Sequence, residues 1–133
     1  MSDASQHFIL DASALIALLS KEPGSAQVIE VLPHSIMSAV NIAEVAKFLK
    51  EKNNLADIQI RNTIYSLIYQ IFPFDDKLAF LTAEILEKTK SFGLSLGDRC
   101  CIALGISTQY TIYTADKAWA NLDIPNLKIH LIR

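Results

Sequence analysis

The chain has 133 residues, a length that suits one domain and suffices to bury a core without disulfides or a structural metal. Half of it is apolar (51%) and a fifth charged (20%), which excludes a disordered or fibrous chain. The net charge of −2 lacks the basic surplus of proteins that hold nucleic acid by charge alone, and no apolar run approaches a membrane span.

Apolar patches and breakers alternate along the whole chain as strand and helix. Residues 1–7 carry neither the basic nor the long apolar part of a secretory signal and read as a flexible lead-in. Phe8–Leu10 reads as a strand that ends at Asp11, and Ser13–Lys21 as a helix broken by Pro23 and Gly24. Ser25–Leu32 is a second helix, ended by Pro33, and Ile36–Ser38 a short strand. Val40–Glu51 places Ile42, Val45, Ala46 and Leu49 on one apolar stripe, and Asp57–Tyr69 is a further helix. Ile71–Phe74 is a candidate strand. Lys77–Lys90 reads as one helix burying Leu78, Leu81, Ile85 and Leu86, with Gly93 as its stop. Gly97–Thr108 is a strongly apolar helix, followed by a strand at Tyr110–Thr114, a short helix at Lys117–Leu122 and a last strand at Lys128–Ile132. This order predicts a single α/β domain, with a mostly parallel sheet of four to five strands and helices on both faces. Cys100 and Cys101 are neighbours on a helix, splayed about 100° apart, so they read as buried thiols of a reduced, cytoplasmic protein.

Four acids stand where this pattern places strand ends or helix starts: Asp11, Glu44, Asp98 and Asp116. Each has an ordinary explanation. Asp11 and Asp116 precede helices as N-caps, Asp98 completes the capping box Ser95-x-x-Asp98, and Glu44 lies opposite the apolar stripe of its helix. Those explanations do not account for all four falling at one edge of an α/β sheet, the edge at which such sheets bind ligands. Carboxylates gathered there repel one another unless a cation joins them, and oxygen-only donors favour Mg²⁺ or Mn²⁺. Ser13 and Thr114 flank the acids and can orient them by hydrogen bonds.

Four segments together resemble the PIN-domain ribonucleases, and among them the VapC-type toxins of toxin–antitoxin pairs. They are Ile9-Leu10-Asp11-Ala12-Ser13-Ala14-Leu15, Ser38-Ala39-Val40-Asn41-Ile42-Ala43-Glu44-Val45, Ser95-Leu96-Gly97-Asp98-Arg99-Cys100-Cys101-Ile102-Ala103-Leu104 and Thr114-Ala115-Asp116-Lys117-Ala118-Trp119. The resemblance implies a PIN-like three-layer α/β/α fold and RNA cleavage dependent on Mg²⁺ or Mn²⁺. It implies Asp11, Glu44, Asp98 and Asp116 as catalytic metal ligands, with Ser13 and Asn41 as accompanying polar positions. It also implies a homodimer and a cognate antitoxin. Arg99, Lys47, Lys50 and Lys117 are candidates to hold the RNA backbone, each with ordinary surface charge as its alternative.

Two rivals belong to other classes. A PIN-like fold can serve as a non-catalytic module that binds RNA or protein, although such a chain is expected to have lost one or more of the acids. Gly93-Leu94-Ser95-Leu96-Gly97 satisfies G-x-S-x-G, and Ser95, Asp116 and His130 follow the chain order of an α/β-hydrolase triad. That motif needs a strand before it, whereas residues 86–92 read as the end of a helix.

Overall fold

The computed structural model describes residues 6–133. Its strands are β1 (Phe8–Leu10), β2 (Ser35–Ser38), β3 (Gln70–Phe72), β4 (Thr111–Thr114) and β5 (Ile129–Leu131). Its helices are α1 (Ala12–Leu19), α2 (Ser25–Val31), α3 (Ala39–Asn53), α4 (Asp57–Leu67), α5 (Asp76–Glu84), α6 (Leu86–Thr89) and α7 (Leu96–Thr108). Tight 3-10 turns occupy Leu32–His34, Lys90–Phe92 and Lys117–Asn121. The five strands form one sheet in the order β3-β2-β1-β4-β5, and every pairing is parallel. Ile9 lies against Ile36 on one side and Ile112 on the other, so β1 is the central strand.

The three-layer form follows from alternation along short strands. Neighbouring strand residues point to opposite faces, so a strand buried on both faces is mostly apolar, and the buried Ser35 and Ser38 of β2 are hydrogen-bonded. Leu10 and Met37 join α1, α2, α3 and α4 in one core through Leu15, Val28, Val45, Leu49, Ile60 and Ile64. Ile9, Ile36 and Ile112 face the other core, with Ile85, Cys101, Ile102, Leu104 and Trp119. Helix α7 is apolar nearly all round because it lies within the protein: Cys100 to Gly105 are all buried. Both thiols are free, as their adjacency predicts.

Most element boundaries fall within a few residues of their sequence-based positions. The exception is the single helix expected over Lys77–Lys90. It is broken at Ile85 (φ −85°, ψ 2°) into α5, the one-turn α6 and a 3-10 turn. The break turns Ile85 into the core while leaving Leu86 40% exposed, so Leu86 is not on the buried side expected for it. Thr82 and Thr89 stand at the break and return their hydroxyls to the carbonyls of Leu78 and Ile85, which is how a helix accommodates such residues and bends. Gly93 then stops the segment in the left-handed conformation (φ 69°), as predicted. The short element at Lys117–Asn121 is a 3-10 turn rather than an α-helix. Of the expected lead-in, residues 1–5 lie outside the described residues. His7 is half-buried, with its ring stacked on Tyr69 and edge-on to Tyr110. Among the described residues no helix is long and apolar enough to cross a membrane.

Candidate metal-binding site at the carboxyl edge of the sheet

From β1 the chain proceeds outward to β2 and β3, then returns to the opposite side of β1 as β4. The strand order therefore reverses at the β1–β4 boundary, and open α/β sheets bind ligands in the crevice beyond the strand ends at such a point. Asp11 follows the end of β1, and Thr114 ends β4 beside it; the Asp11 N–H extends the ladder to the Tyr113 carbonyl (3.2 Å).

Asp11 caps α1, accepting from the Ala14 N–H at 2.8 Å. Its carboxylate also accepts from the Ser13 hydroxyl (2.8 and 2.9 Å) and, across the sheet, from the Thr114 hydroxyl at 2.6 Å. Those hydroxyls are oriented in turn, since Ser13 Oγ accepts from the Ala115 N–H (2.9 Å) and Thr114 Oγ1 from the Asp116 N–H (3.1 Å). Asp11 is only 3% exposed, and burial raises its pKa from 3.8 to about 6, against the lowering effect of Thr114, Ser13 and the Ala14 N–H. The negative charge of Asp98 adds a smaller push in the same direction. Mutual repulsion of the acids is thus the minor cause of the shift; withdrawal from water is the major one.

Glu44 departs from its surface reading. It is half-buried, and the buried Asn41 one turn before it donates to its Oε1 at 2.8 Å and to the Gly97 carbonyl at 3.1 Å. Asp98, half-buried in the first turn of α7, forms the expected capping box: it accepts from the Ser95 N–H (3.0 Å) while its own N–H donates to Ser95 Oγ (3.1 Å). That turn is the positive end of the helix dipole, which favours a carboxylate. Glu44 lies against Gly97, the residue before Asp98, and the charges of Asp11, Asp98 and Glu44 add to burial, the main cause, in raising the Cys101 thiol well above its usual range. Asp116 stands apart. It is exposed, caps the 3-10 turn through the Ala118 N–H (3.0 Å), and is connected to Asp11 only through Thr114.

Among the described residues no three His, Cys, Asp or Glu side chains stand together at metal-ligand spacing, and no ion pair involves any of these four acids. Asp98 and Glu44 are each turned onto a local donor. Even so, the site has the chemistry a hard cation needs. Its donors are all oxygen, one carboxylate is buried without a compensating cation, and Asn41 Oδ1 is a buried acceptor with no partner. The chemistry of these oxygen donors fits a hard divalent cation such as Mg²⁺ or Mn²⁺.

The cationic candidates are dispersed. Arg99 is half-buried and donates to the Leu94 carbonyl at 3.0 Å. Lys47 and Lys50 are exposed and paired with Glu51 (3.0 Å) and Asp57 (2.9 Å), and Lys117 is exposed. Lys47 and Lys50 rim a groove of about 360 Å³ between α3 and α4, with Arg61 and Tyr65 on the same lining. The hydrolase triad is not assembled: Ser95 is occupied as a helix cap, a 3-10 turn instead of a strand precedes it, and His130 Nε2 donates to Gln27 Oε1. Sequence reasoning missed Gly97. A β-carbon there would lie 2.7 Å from the Glu44 carboxyl carbon and 2.8 Å from its Oε1. The available signal was a glycine inside the first turn of a helix, where alanine is the better former by about 1 kcal/mol.

No curated protein sequence matches the chain. Solved structures share its fold. DNA-bound VapBC from Salmonella typhimurium matches with a TM-score of 0.71 at 14% identity, over 96% of this chain and 99% of that chain. VapC20 from Mycobacterium tuberculosis, a sarcin-ricin-loop-cleaving toxin, matches with a TM-score of 0.73 at 14% identity, over 91% and 98%. A toxin–antitoxin complex from Klebsiella pneumoniae matches with a TM-score of 0.68 at 21% identity, over 90% and 93%. The PIN domain model matches residues 8–125, and the chain belongs to the PIN domain family.

Proposed function

We propose that this PIN-domain protein is an endoribonuclease dependent on Mg²⁺ or Mn²⁺ and acts as the toxin of a toxin–antitoxin pair. The observation that carries the reading is Asp11, buried at the switch point of the sheet with no cationic side chain paired to it, beside the first turn of α7 that carries Asp98 and meets Glu44. Asp11, Glu44, Asp98 and Asp116 are the residues that would hold the cation. When bound, a divalent ion supplies an activated water and neutralises charge at a phosphodiester.

The protein's own groups prepare that chemistry. Ser13 and Thr114 aim the Asp11 oxygens by donating to them, and the backbone amides of Ala115 and Asp116 fix both hydroxyls. Asn41 restrains Glu44, and the first turn of α7 offers Asp98 a favourable dipole while leaving it accessible to solvent. Lys47 and Lys50, on the same helix as Glu44, would attract the phosphates of an approaching strand in exchange for their partners Glu51 and Asp57. Hydrolysis would leave a 5′-phosphate and a 3′-hydroxyl.

The fold likeness to VapBC assemblies supports a cognate antitoxin. The exposed Tyr65, Tyr69, Phe80 and Leu96 supply apolar surface for a homodimer, and the reduced buried thiols suit a cytoplasmic protein. The test is cleavage of RNA by the purified protein with Mg²⁺ or Mn²⁺ and with EDTA, beside Asp11→Asn, Asp98→Asn and Ser95→Ala. The expected result is metal-dependent cleavage, lost in both Asp variants and retained in Ser95→Ala. Cleavage surviving both Asp changes refutes the site, and cleavage of no RNA favours a binding module.

A further inference from the structure

We propose that Gly97 and Asn41 are positioning residues for Glu44: the absent β-carbon of one and the amide of the other together set that carboxylate against the first turn of α7. The role rests on the nuclease reading, because it explains why Glu44 has to be held at all.

Asn41 and Glu44 are three residues apart on α3, so their side chains share a face of the helix. The Asn41 amide spends both protons on groups that can only accept, the Glu44 carboxylate and the Gly97 carbonyl. That pair of acceptors fixes which way the amide points. Among the described residues Asn41 Oδ1 has no hydrogen-bond partner, so the side chain is held through its amide protons alone. On the far side, the Glu44 carboxylate occupies the space in which any side chain at position 97 would begin. A β-carbon there would meet the end of a half-buried, flexible side chain and not a backbone atom, so the carboxylate has to give way and the helices do not. Gly97 therefore acts as a cradle and Asn41 as a clamp, tying α3 to α7 at the acid cluster.

The test is a double-mutant cycle of Gly97→Ala and Glu44→Ala, followed by thermal unfolding in EDTA, with Mn²⁺ affinity measured by EPR of the free ion for wild type, Gly97→Ala, Asn41→Ala and Gly97→Ala/Glu44→Asp. In the cycle, Gly97→Ala should raise Tm when Glu44 is absent, because alanine is the better helix former, and should raise it less or lower it when Glu44 is present. Gly97→Ala and Asn41→Ala should each bind Mn²⁺ at least tenfold more weakly than wild type. The shorter acid of Glu44→Asp should clear the new methyl and recover threefold or more of what Gly97→Ala loses, a rescue that a merely structural glycine would not show. Asn41→Ala introduces no clash and serves if Gly97→Ala does not fold. Additive effects in the cycle, or wild-type Mn²⁺ affinity in Gly97→Ala and Asn41→Ala, overturn the role alone. A wild-type protein that binds no Mn²⁺ overturns the role together with the nuclease reading.

Discussion

Replacing Asp11 by Asn should make the metal-free protein more stable while abolishing its activity. Native Asp11 has a pKa of about 6 against 3.8 when exposed to water. At about 1.4 kcal/mol per pH unit, ionising it inside the fold costs about 3 kcal/mol. The sign follows from where the proton is held more tightly. The native state keeps it to higher pH, so the full stability is present below about pH 4, falls as pH rises towards 6, and stays at the lower level above. Asn carries no charge to bury and still offers one oxygen to the Ala14 N–H and the Ser13 hydroxyl. Thr114 loses its acceptor at the second oxygen and must redirect its hydroxyl, for example to Ser13 Oγ, 3.3 Å away, at a cost of about 1 kcal/mol. The net expectation at pH 7.5 in EDTA is a gain of about 2 kcal/mol. Urea unfolding followed by fluorescence of Trp119, the chain's single and fully buried tryptophan, reads this directly at pH 4.5, 6 and 7.5. Asp11→Asn should also flatten the decline between pH 4 and 6. A variant less stable than wild type at pH 7.5 in EDTA, or one that loses stability with pH as steeply as wild type, would refute the reasoning.

Saturating Mn²⁺ should raise wild-type stability by about 2–3 kcal/mol at one hundred times Kd, and the gain should vanish in Asp11→Asn; thermal shift with and without EDTA measures both. Ser95→Ala removes half of the capping box and should cost about 1 kcal/mol in urea unfolding with cleavage retained, whereas loss of cleavage in a folded variant would revive the hydrolase reading. Trp119→Ala should cost about 3–5 kcal/mol, read by circular dichroism during unfolding, because the indole is fully buried in the core that also holds Ile9, Ile112 and Leu104. Lys47→Glu with Lys50→Glu should leave Tm nearly unchanged, lower cleavage at low salt and flatten its salt dependence; an unchanged salt dependence would show that the groove between α3 and α4 carries no RNA.

Legibility of the sequence tracked the range of the forces at each position. Asp11, Asp98 and Asp116 cap the elements they were expected to cap, because capping is decided within three or four residues. The apolar segments of β1 and α7 pointed to a sheet covered on both faces, since burial all round favours unbroken hydrophobicity. What escaped depends on partners distant in the chain. Glu44 reads as solvated from its own helix and is half-buried only because α7, more than fifty residues on, packs beside it. Gly97 matters through an atom it lacks, which no periodicity records. The acids were expected to perturb one another, yet desolvation dominates at Asp11, and desolvation is a property of the assembled core. Tyr65, Tyr69 and Phe80 are all exposed, although their residue types alone suit a core.

The Thr114 hydroxyl joins residues 103 positions apart, closing on Asp11 from the last third of the chain. Order of synthesis then becomes part of the protein's chemistry. While β1 to α6 are emerging, Asp11 has neither its cross-sheet donor nor the strand that encloses it, and Asp98 does not yet exist. A chain stopped anywhere before β4 therefore lacks the hydroxyl and the strand that hold Asp11, however well its first half has folded. The docking of β4 against β1 is the step at which Asp11 gains both its cross-sheet donor and its enclosing strand.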